Sequence, residues 1–262
     1  RFDGDTWSSV TMTQNGTQNI ATINTGDKIL FKSTNTKLST NYNQYNKFNG
    51  SKNFKVQGNA MSLLYGDDFE NNSEFASGSS DNLQGLFYGT TTLVDASNLI
   101  LPALTITGKA YNGMFRECSN LVTAPKLPGM TFIGSDTYAS MFEGCISLVE
   151  APELPATTLS QACYSRMFCM SRTAKLTTPA MTKSPLLPAA TLASNAYKEM
   201  FKGNGNLVEI TCLATSVVTN ASDWVANVSS TGTFKKNANM SSWTTGTSGI
   251  PSGWTVVDYV EE

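Results

Sequence analysis

The sequence predicts an α/β solenoid, in which one short structural unit recurs and stacks on copies of itself. A five-residue pattern ending in phenylalanine indicates this, because it returns five times, with the phenylalanines at positions 87, 115, 142, 168 and 201. The period is therefore 28, 27, 26 and then 33 residues. A unit of this size cannot bury its apolar face alone, so repeats of this length are typical of stacked coils.

Each unit is predicted to contain a short helix at this pattern. In the best copies the sequence is Tyr-x-x-Met-Phe, beginning at residues 111, 138, 164 and 197, whereas the copy from Leu83 to Phe87 is degenerate. The tyrosine lies three and four residues before the Met-Phe pair. This spacing places the three side chains on one side of a helical turn.

A short strand and a corner are predicted to follow the helix. Six residues after the phenylalanine a leucine opens an aliphatic segment, as at Leu121 and Leu148, that is too short for a helix. A Leu-Pro pair then ends the strand, because proline has no amide donor and disfavours α geometry in the residue before it. One strand, one corner and one helical turn make a leucine-rich-repeat coil.

The whole repeat resembles a known family. Residues 111–128 and 138–155 follow the pattern Tyr-x-x-Met-Phe-x-x-Cys-x-x-Leu-x-x-Ala-Pro-x-Leu-Pro, which is similar to the BspA-type leucine-rich repeats of bacterial surface proteins from oral and gut species, also met in phage-associated proteins. The resemblance implies a right-handed β–α solenoid of about five repeats, no catalysis and display at the cell surface. For a few members it also implies adhesion to host or matrix proteins.

Three segments are expected along the chain. The repeats occupy residues 83–213, whereas residues 1–82 contain short apolar runs separated by Asn, Gly and Ser clusters, which predict a small β-rich N-terminal cap. Residues 214–262 bring large apolar groups, including Trp224, Trp243 and Trp254, to the end of the coil and are expected to form a C-terminal cap. Open ends of a solenoid expose its core and need such covers.

Composition narrows the classes of partner. Only 15% of the 262 residues are charged and the formal net charge is −2, so the chain has no electrostatic footprint for nucleic acid. No apolar run approaches the roughly 20 residues of a membrane helix. The chain begins at Arg1 without a signal peptide, which suggests a mature or truncated protein, with any surface anchor elsewhere. An extracellular or cell-surface location is expected.

The cysteines and the absence of histidine limit the disulfide, metal-binding and catalytic chemistry that is expected of this chain. Cys118 and Cys145 occupy the same repeat position, and the repeat cysteines are expected to be small buried hydrophobes, with disulfides as the alternative. Zinc is not expected, because the chain has no Cys-x-x-Cys pair and no histidine. A carboxylate pair among Glu150, Glu153 and Glu209 remains formally open. These glutamates recur at equivalent strand positions, so neither an enzyme nor a cofactor is expected.

A row across the exposed strand face is the first candidate ligand site. If the leucines at 93, 121, 148, 176 and 207 point inward, the residues two positions later point outward. The insertion in the third repeat, residues 171–186, is expected to project as a loop that adds a basic tip. The predicted ligand-binding residues are Asp95, Thr123, Lys126, Glu150, Glu153, Thr178, Lys183 and Glu209.

The alternative site is a cluster of N-terminal aromatics. Tyr42, Tyr45 and Phe48 recur every third residue among asparagines, and aromatic faces with amides can stack on and hydrogen-bond a sugar. The sequence thus predicts a non-catalytic extracellular binding protein that recognises a protein or glycan. A carbohydrate-binding module is the second interpretation, and a structural spacer or phage-tail component is the third. The sequence leaves the oligomeric state open.

Overall fold

The fold is known from a computed structural model, which describes residues 7–10, 18–34, 38–41, 44–75, 83–102, 108–129, 132–170, 179–216, 220–241 and 243–261. The helices of this part are one α-helix, α1 (Ser62–Tyr65), and one 3₁₀ helix (Gly66–Asn71). The strands are β1 (Ser39–Asn41), β2 (Gln44–Tyr45), β3 (Phe54–Asn59), β4 (Leu93–Ile100), β5 (Phe132–Ile133), β6 (Thr158–Leu159), β7 (Lys183–Leu187), β8 (Glu209–Cys212), β9 (Thr233–Lys236) and β10 (Thr255–Asp258).

Parallel pairing joins strands whose paired residues lie 22 to 41 positions apart in the sequence. β3 pairs with β4, β5 pairs with β6, and β7, β8, β9 and β10 form one four-stranded parallel sheet in chain order. Single parallel bridges connect Asp95 to Thr123 and Thr123 to Glu150. The antiparallel β1–β2 pair lies near the N-terminus. Each repeat therefore places its strand segment beside the segment of the next repeat.

The prediction of a helix in each repeat was wrong. The Tyr-x-x-Met-Phe segments are runs of consecutive β-turns. In the copy that begins at Tyr111, the amide of Met114 donates to the Tyr111 carbonyl at 3.2 Å, and the amide of Arg116 donates to the Gly113 carbonyl at 3.1 Å. These are bonds between residues three apart, whereas an α-helix needs residues four apart.

The intervening amides bond to the next repeat. The Gly113 amide donates to the Ala139 carbonyl at 2.9 Å, and the Phe115 amide donates to the Met141 carbonyl at 3.0 Å. The same alternation recurs in the later repeats, for example from the Phe142 amide to the Met167 carbonyl at 2.9 Å. Turn segments of neighbouring coils are thus hydrogen-bonded to one another much as strands are, which a helix cannot do because its amides bond internally.

Positive φ angles make this geometry possible. The second residue after each repeat tyrosine is left-handed, and so is the second residue after most of the repeat phenylalanines. Glycine fills several of these places, but Ser140 (φ 56°) and Glu199 (φ 51°) do not have that freedom. A left-handed conformation costs a non-glycine residue about 1–2 kcal/mol, so the stacked hydrogen bonds must offset it. The left-handed residues of the two sets are Gly89, Gly113, Glu117, Ser140, Gly144, Arg166, Glu199 and Gly203, and the equivalent places in the first and last coils are held by Gly85, Asp223 and Asn227, which are also left-handed.

Two aromatic ladders fill the core beneath the turns. The rings of Phe87, Phe115, Phe142, Phe168 and Phe201 stack with centroid separations of 5.4, 5.5, 5.8 and 5.7 Å and interplanar angles of 7° or less. The repeat tyrosines form a second ladder, in which successive separations are 5.7, 6.0 and 6.3 Å. All of these rings are buried. Nearly parallel rings of this kind follow directly from the matched turns.

The ladder continues beyond the repeats that the sequence pattern reveals. The Tyr197 amide donates to the Asn220 carbonyl and the Phe201 amide to the Trp224 carbonyl, which places Ala221–Val225 in the next coil. The Trp224 ring lies 5.9 Å from Tyr197 and 6.0 Å from Phe201, so it closes both ladders. Since β8 also pairs with β9, the parallel sheet extends into the segment predicted to be a C-terminal cap.

The third repeat differs from the prediction. Met181, rather than Leu176, occupies the inward position of the repeat leucine: it is buried, and Val208 donates to the Thr182 carbonyl at 2.8 Å just as Val149 donates to that of Val122. Residues 179–186 are therefore part of the coil and include most of β7, so a projecting loop over 171–186 was wrong for this half. Residues 171–178, which include Leu176 and Thr178, lie outside the described residues.

We propose that the described coils form one solenoid, with tandem turns in the place of helices. Its parallel strand segments, its aromatic ladders and its coil-to-coil hydrogen bonds support this. Phe48 extends the stack toward the N-terminus: its amide donates to the Leu86 carbonyl at 2.9 Å and its ring lies 6.2 Å from that of Phe87. The right-handed winding, the number of repeats and the domain boundaries stay predictions.

Substitution of Ser140 distinguishes the turns from helices. Ser140→Gly is expected to be more stable than Ser140→Ala by about 1 kcal/mol, because glycine accepts the left-handed conformation and alanine does not. In a helix the order would reverse by a similar amount, since alanine is the better helix former. Denaturant unfolding of the two variants measures the difference, and a more stable alanine variant would contradict the turn geometry.

Phe142 tests the aromatic ladder. It is fully buried between the rings of Phe115 and Phe168, so Phe142→Ala is expected to lower the free energy of unfolding by about 3–5 kcal/mol. Urea melts measure this loss. A loss below about 1 kcal/mol would place the ring at the surface and refute the register of the repeats.

Candidate binding surface

The predicted row of strand residues forms two aligned stretches. Asp95, Thr123 and Glu150 are brought into register by the parallel bridges. Lys183, Glu209, Thr233 and Thr255 are aligned across β7, β8, β9 and β10. Lys183 thus stands at the place for which Thr178 was predicted, because the inward residue before it is Met181. We call this set of residues the strand row.

Several charges of the strand row are paired. The Glu209 Oε1 atom lies 3.8 Å from the Lys183 Nζ atom and 3.3 Å from the Lys235 Nζ atom. Asp95 accepts a hydrogen bond from the Ser97 amide at 2.9 Å and lies 3.1 Å from the Lys55 Nζ atom. The hydrogen bonds from Ser97, supported by Lys55, hold the pKa of Asp95 below its ordinary value. Asp95 and Glu209 are therefore already engaged within the chain.

Glu150, Lys126 and Glu153 behave differently. All three are exposed. Within the described ranges, none of them forms an ion pair, whereas Asp95 and Glu209 do. Their charged groups are thus solvated and remain available to a ligand.

Exposed valines lie directly beside the strand row. Val122, Val149 and Val208 precede Thr123, Glu150 and Glu209 in the sequence, and their exposed fractions are 46%, 51% and 42%. The sequence analysis missed them, because it assumed strict alternation from the leucine onward. Leu121 still belongs to the preceding turn, since its amide donates to the Cys118 carbonyl at 3.0 Å. Two successive residues therefore face outward, and the repeated Leu-Val pair was the available signal.

The N-terminal aromatics are only partly described. Tyr42 lies outside the described residues, and Tyr45 belongs to β2. Phe48 is half-buried and packs between Phe31, at a ring separation of 4.8 Å, and Phe87. The Phe48 ring therefore serves the core of the N-terminal region, and a sugar would have to bind to the remaining aromatics.

The turn side of the coils has a ladder of opposite charges that the sequence analysis missed. From one coil to the next, Arg116 lies 3.5 Å from Glu143, and Glu143 lies 3.0 Å from Arg166. Arg166 then contacts Glu199, which pairs with Lys202 at 2.8 Å. The sequence signal for this ladder was the alternation of positive and negative residues at two fixed positions of the repeat, one residue after the phenylalanine and two residues after the tyrosine.

This charge ladder is largely covered by protein. The Glu143 side chain is 1% exposed, and those of its partners are 12% and 20% exposed. Burial favours the neutral form of Arg166, but its hydrogen bonds to Glu143, together with electrostatic attraction to Cys169 and Glu143, outweigh this and raise its pKa above the ordinary value. These charges stabilise one another along the stack of coils, so they leave little charge for a partner to recognise.

The cysteine side chains all lie in the described part of the chain, where they are buried and form no disulfide. The Cys118 thiol donates to the Phe87 carbonyl at 3.0 Å, and the Cys145 thiol donates to the Phe115 carbonyl at 3.1 Å. Asn204 occupies the same place in a later repeat and donates to the Phe168 carbonyl at 2.6 Å. This position therefore requires a small donor that satisfies the phenylalanine carbonyl of the preceding coil.

Burial suppresses the reactivity of the thiols. It raises the pKa of Cys118, Cys163 and Cys212 to about 12, and it raises that of Cys145 well above the ordinary value of 9.0. The thiolate is the nucleophile and the metal ligand. Over the described part of the chain, no group of three or more Cys, Asp or Glu residues could hold a metal ion.

Comparison with protein-family models, with curated proteins and with solved structures finds no match for this chain. As far as the structure describes the chain, it contains no helix of the length and hydrophobicity that crossing a bilayer requires.

Thiol reactivity tests this account of the cysteines. Cys118 and Cys145 are expected to react slowly with an aromatic disulfide reagent in the native protein and rapidly in denaturant, because both burial and the raised pKa disappear on unfolding. Detection of a Cys118–Cys145 disulfide by mass spectrometry would refute the prediction.

The raised pKa values also predict alkaline destabilisation. An unfolded thiol ionises near pH 9, whereas Cys163 and Cys212 ionise at about pH 12 in the folded chain. Their contribution to stability is therefore complete below pH 9 and is lost as the pH rises toward 12. Denaturant unfolding between pH 8 and pH 11 is expected to show this decline, with a shallower slope for Cys212→Ala; an unchanged slope would contradict it.

Proposed function

We propose that this chain is a non-catalytic binding protein that acts outside the cell and recognises a protein or glycan through its strand face. The strand face is defined as the strand row together with Val122, Val149 and Val208. The observation that supports this most is the exposure of these valines beside the carboxylate of Glu150, which is exposed and forms no ion pair with any described residue. Apolar contacts beside a few polar groups are typical of recognition surfaces.

The contrast between the two sides of the coils supports the same assignment. On the turn side, Arg116, Glu143 and Arg166 pair with one another and are mostly covered. On the strand side, Val149 is half exposed and Glu150 has no ion pair within the described residues. A partner would gain buried apolar area and charge-assisted hydrogen bonds on the strand side, and neither on the turn side.

The regular spacing favours an extended partner. Neighbouring strand segments lie about 4.8 Å apart, so Val122 and Val149 lie on adjacent coils, and Val208 lies two coils further on. A flat, ridged surface of this kind presents the same chemistry at several points along the stack. Extended surfaces of stacked repeats commonly bind extended protein segments or chains of sugars.

A binding screen tests the proposal. The protein is applied to arrays of extracellular-matrix proteins and of glycans, and the affinity for each captured ligand is then measured. Val149→Lys and Glu150→Lys are expected to weaken binding at least about tenfold, which corresponds to about 1.4 kcal/mol. Lys198→Glu, an exposed substitution on the turn side, is the matched control and is expected to leave the affinity unchanged.

Other outcomes would favour the other interpretations. Loss of glycan binding in Tyr42→Ala, with normal binding in Glu150→Lys, would assign recognition to the N-terminal aromatics and identify a carbohydrate-binding module. Binding that neither Val149→Lys nor Tyr42→Ala weakens would contradict both surfaces. Absence of any ligand on either array would favour a structural spacer or a phage-tail component.

A further inference from the structure

β10 is the outermost strand of its sheet. It pairs with β9 through Thr255 to Asp258 and has no strand on its other side among the described residues. The amides of Thr255 and Tyr259 donate to the carbonyls of Gly232 and Lys236 in the direction of β9, at 2.9 and 2.7 Å. Because successive residues of a strand point to opposite edges, the amide and carbonyl groups of Val256 and Asp258 point away from β9.

This edge lacks the usual protection against pairing. Val256, Val257 and Val260 are 42%, 40% and 77% exposed, and the stretch from 254 to 260 contains neither proline nor glycine. Natural edge strands are commonly blunted by lysine, proline or a bulge, or by being very short; β10 has none of the first three, although it is only four residues long. The other outer strand of this sheet, β7, follows that rule, because it contains Lys183, Pro185 and a register irregularity against β8.

The single charge on the edge is neutralised within the chain. Asp258 lies 2.5 Å from the Lys236 Nζ atom, so its carboxylate is already paired. A second copy of the same strand would therefore meet an edge of exposed backbone groups and valines without facing an unpaired charge. Self-association of two β10 strands requires a two-fold axis perpendicular to the sheet, which makes the pair antiparallel.

One register of the two β10 strands forms the most hydrogen bonds between their outward-pointing backbone groups. When the axis passes through Val257, Val256 of each copy faces Asp258 of the other, and these residues exchange four backbone hydrogen bonds. The two Val257 side chains then meet directly on the outer face of the sheet. An axis through Val256 gives only two such bonds within the strand, and an axis through Asp258 sets two carboxylates against each other, which is unfavourable.

We propose that two copies of this chain associate through antiparallel pairing of β10, with the two Val257 residues at the two-fold axis. The two four-stranded sheets then become one continuous sheet of eight strands. The contact is short and belongs with weak, reversible interfaces. Of the strand face, only Thr255 belongs to the strand that forms the contact, so the association leaves the rest of that face free on both copies and does not depend on the proposed binding function.

Sedimentation analysis of the full chain, up to about 500 µM to reach weak association, tests the proposal with two variants and a control. Val256→Pro removes an amide that the fold does not use, and proline is tolerated at such an edge. Val257→Lys sets two lysines against each other at the axis. Val149→Lys, which makes the same change on another exposed valine, is the control.

A concentration-dependent dimer is expected for the unmodified chain and for Val149→Lys, and both β10 variants are expected to shift the association constant at least tenfold toward monomer. Circular dichroism and thermal melting establish that each variant is folded; if Val256→Pro is not, Val257→Lys decides alone. A chain that stays monomeric at every concentration would overturn the proposal. So would open-ended polymers, or a dimer that folded Val257→Lys does not weaken.

Discussion

The fold depends on the hydrogen bonds that join each turn segment to the next coil. An amide such as that of Phe142, which bonds to the Met167 carbonyl at 2.9 Å, fixes one coil on another. The bond is possible because alternate amides are left free by tandem turns, and these turns require left-handed residues such as Ser140. Backbone strain of about 1–2 kcal/mol per non-glycine residue is thereby exchanged for a lattice in which identical side chains lie above one another.

The two sides of the coils carry different types of side chain because successive coils stack in register. Identical positions stack, so a residue type recurs as a column: rings in the core, opposite charges on the turn side and valines on the strand side. Each charge in the column from Arg116 to Lys202 lies against an opposite charge, on the next coil or, for Glu199 and Lys202, on the same coil. The valine column is exposed as far as the structure describes the chain, and this difference makes the strand face the better candidate for recognition.

Repetition and burial could be predicted from the sequence, whereas backbone conformation could not. The buried ring of Phe142 and the register of Thr123 with Glu150 follow from the period of the pattern. Tyr-x-x-Met-Phe spacing suits a helix and a chain of turns equally well, since both place residues three or four apart on one side. The strand segment at Met181 and the Ala221–Val225 turn depart from the side-chain pattern, and burial, ring contacts and hydrogen bonds identify them.

The most direct test of the stacked-turn account is a scalar coupling measured across a hydrogen bond by NMR in the deuterated protein. The account predicts a coupling between the Phe142 amide nitrogen and the Met167 carbonyl carbon, two residues in different coils whose N and O atoms lie 2.9 Å apart. A coupling from Phe142 to the Tyr138 carbonyl carbon, the partner of an α-helix, would contradict it.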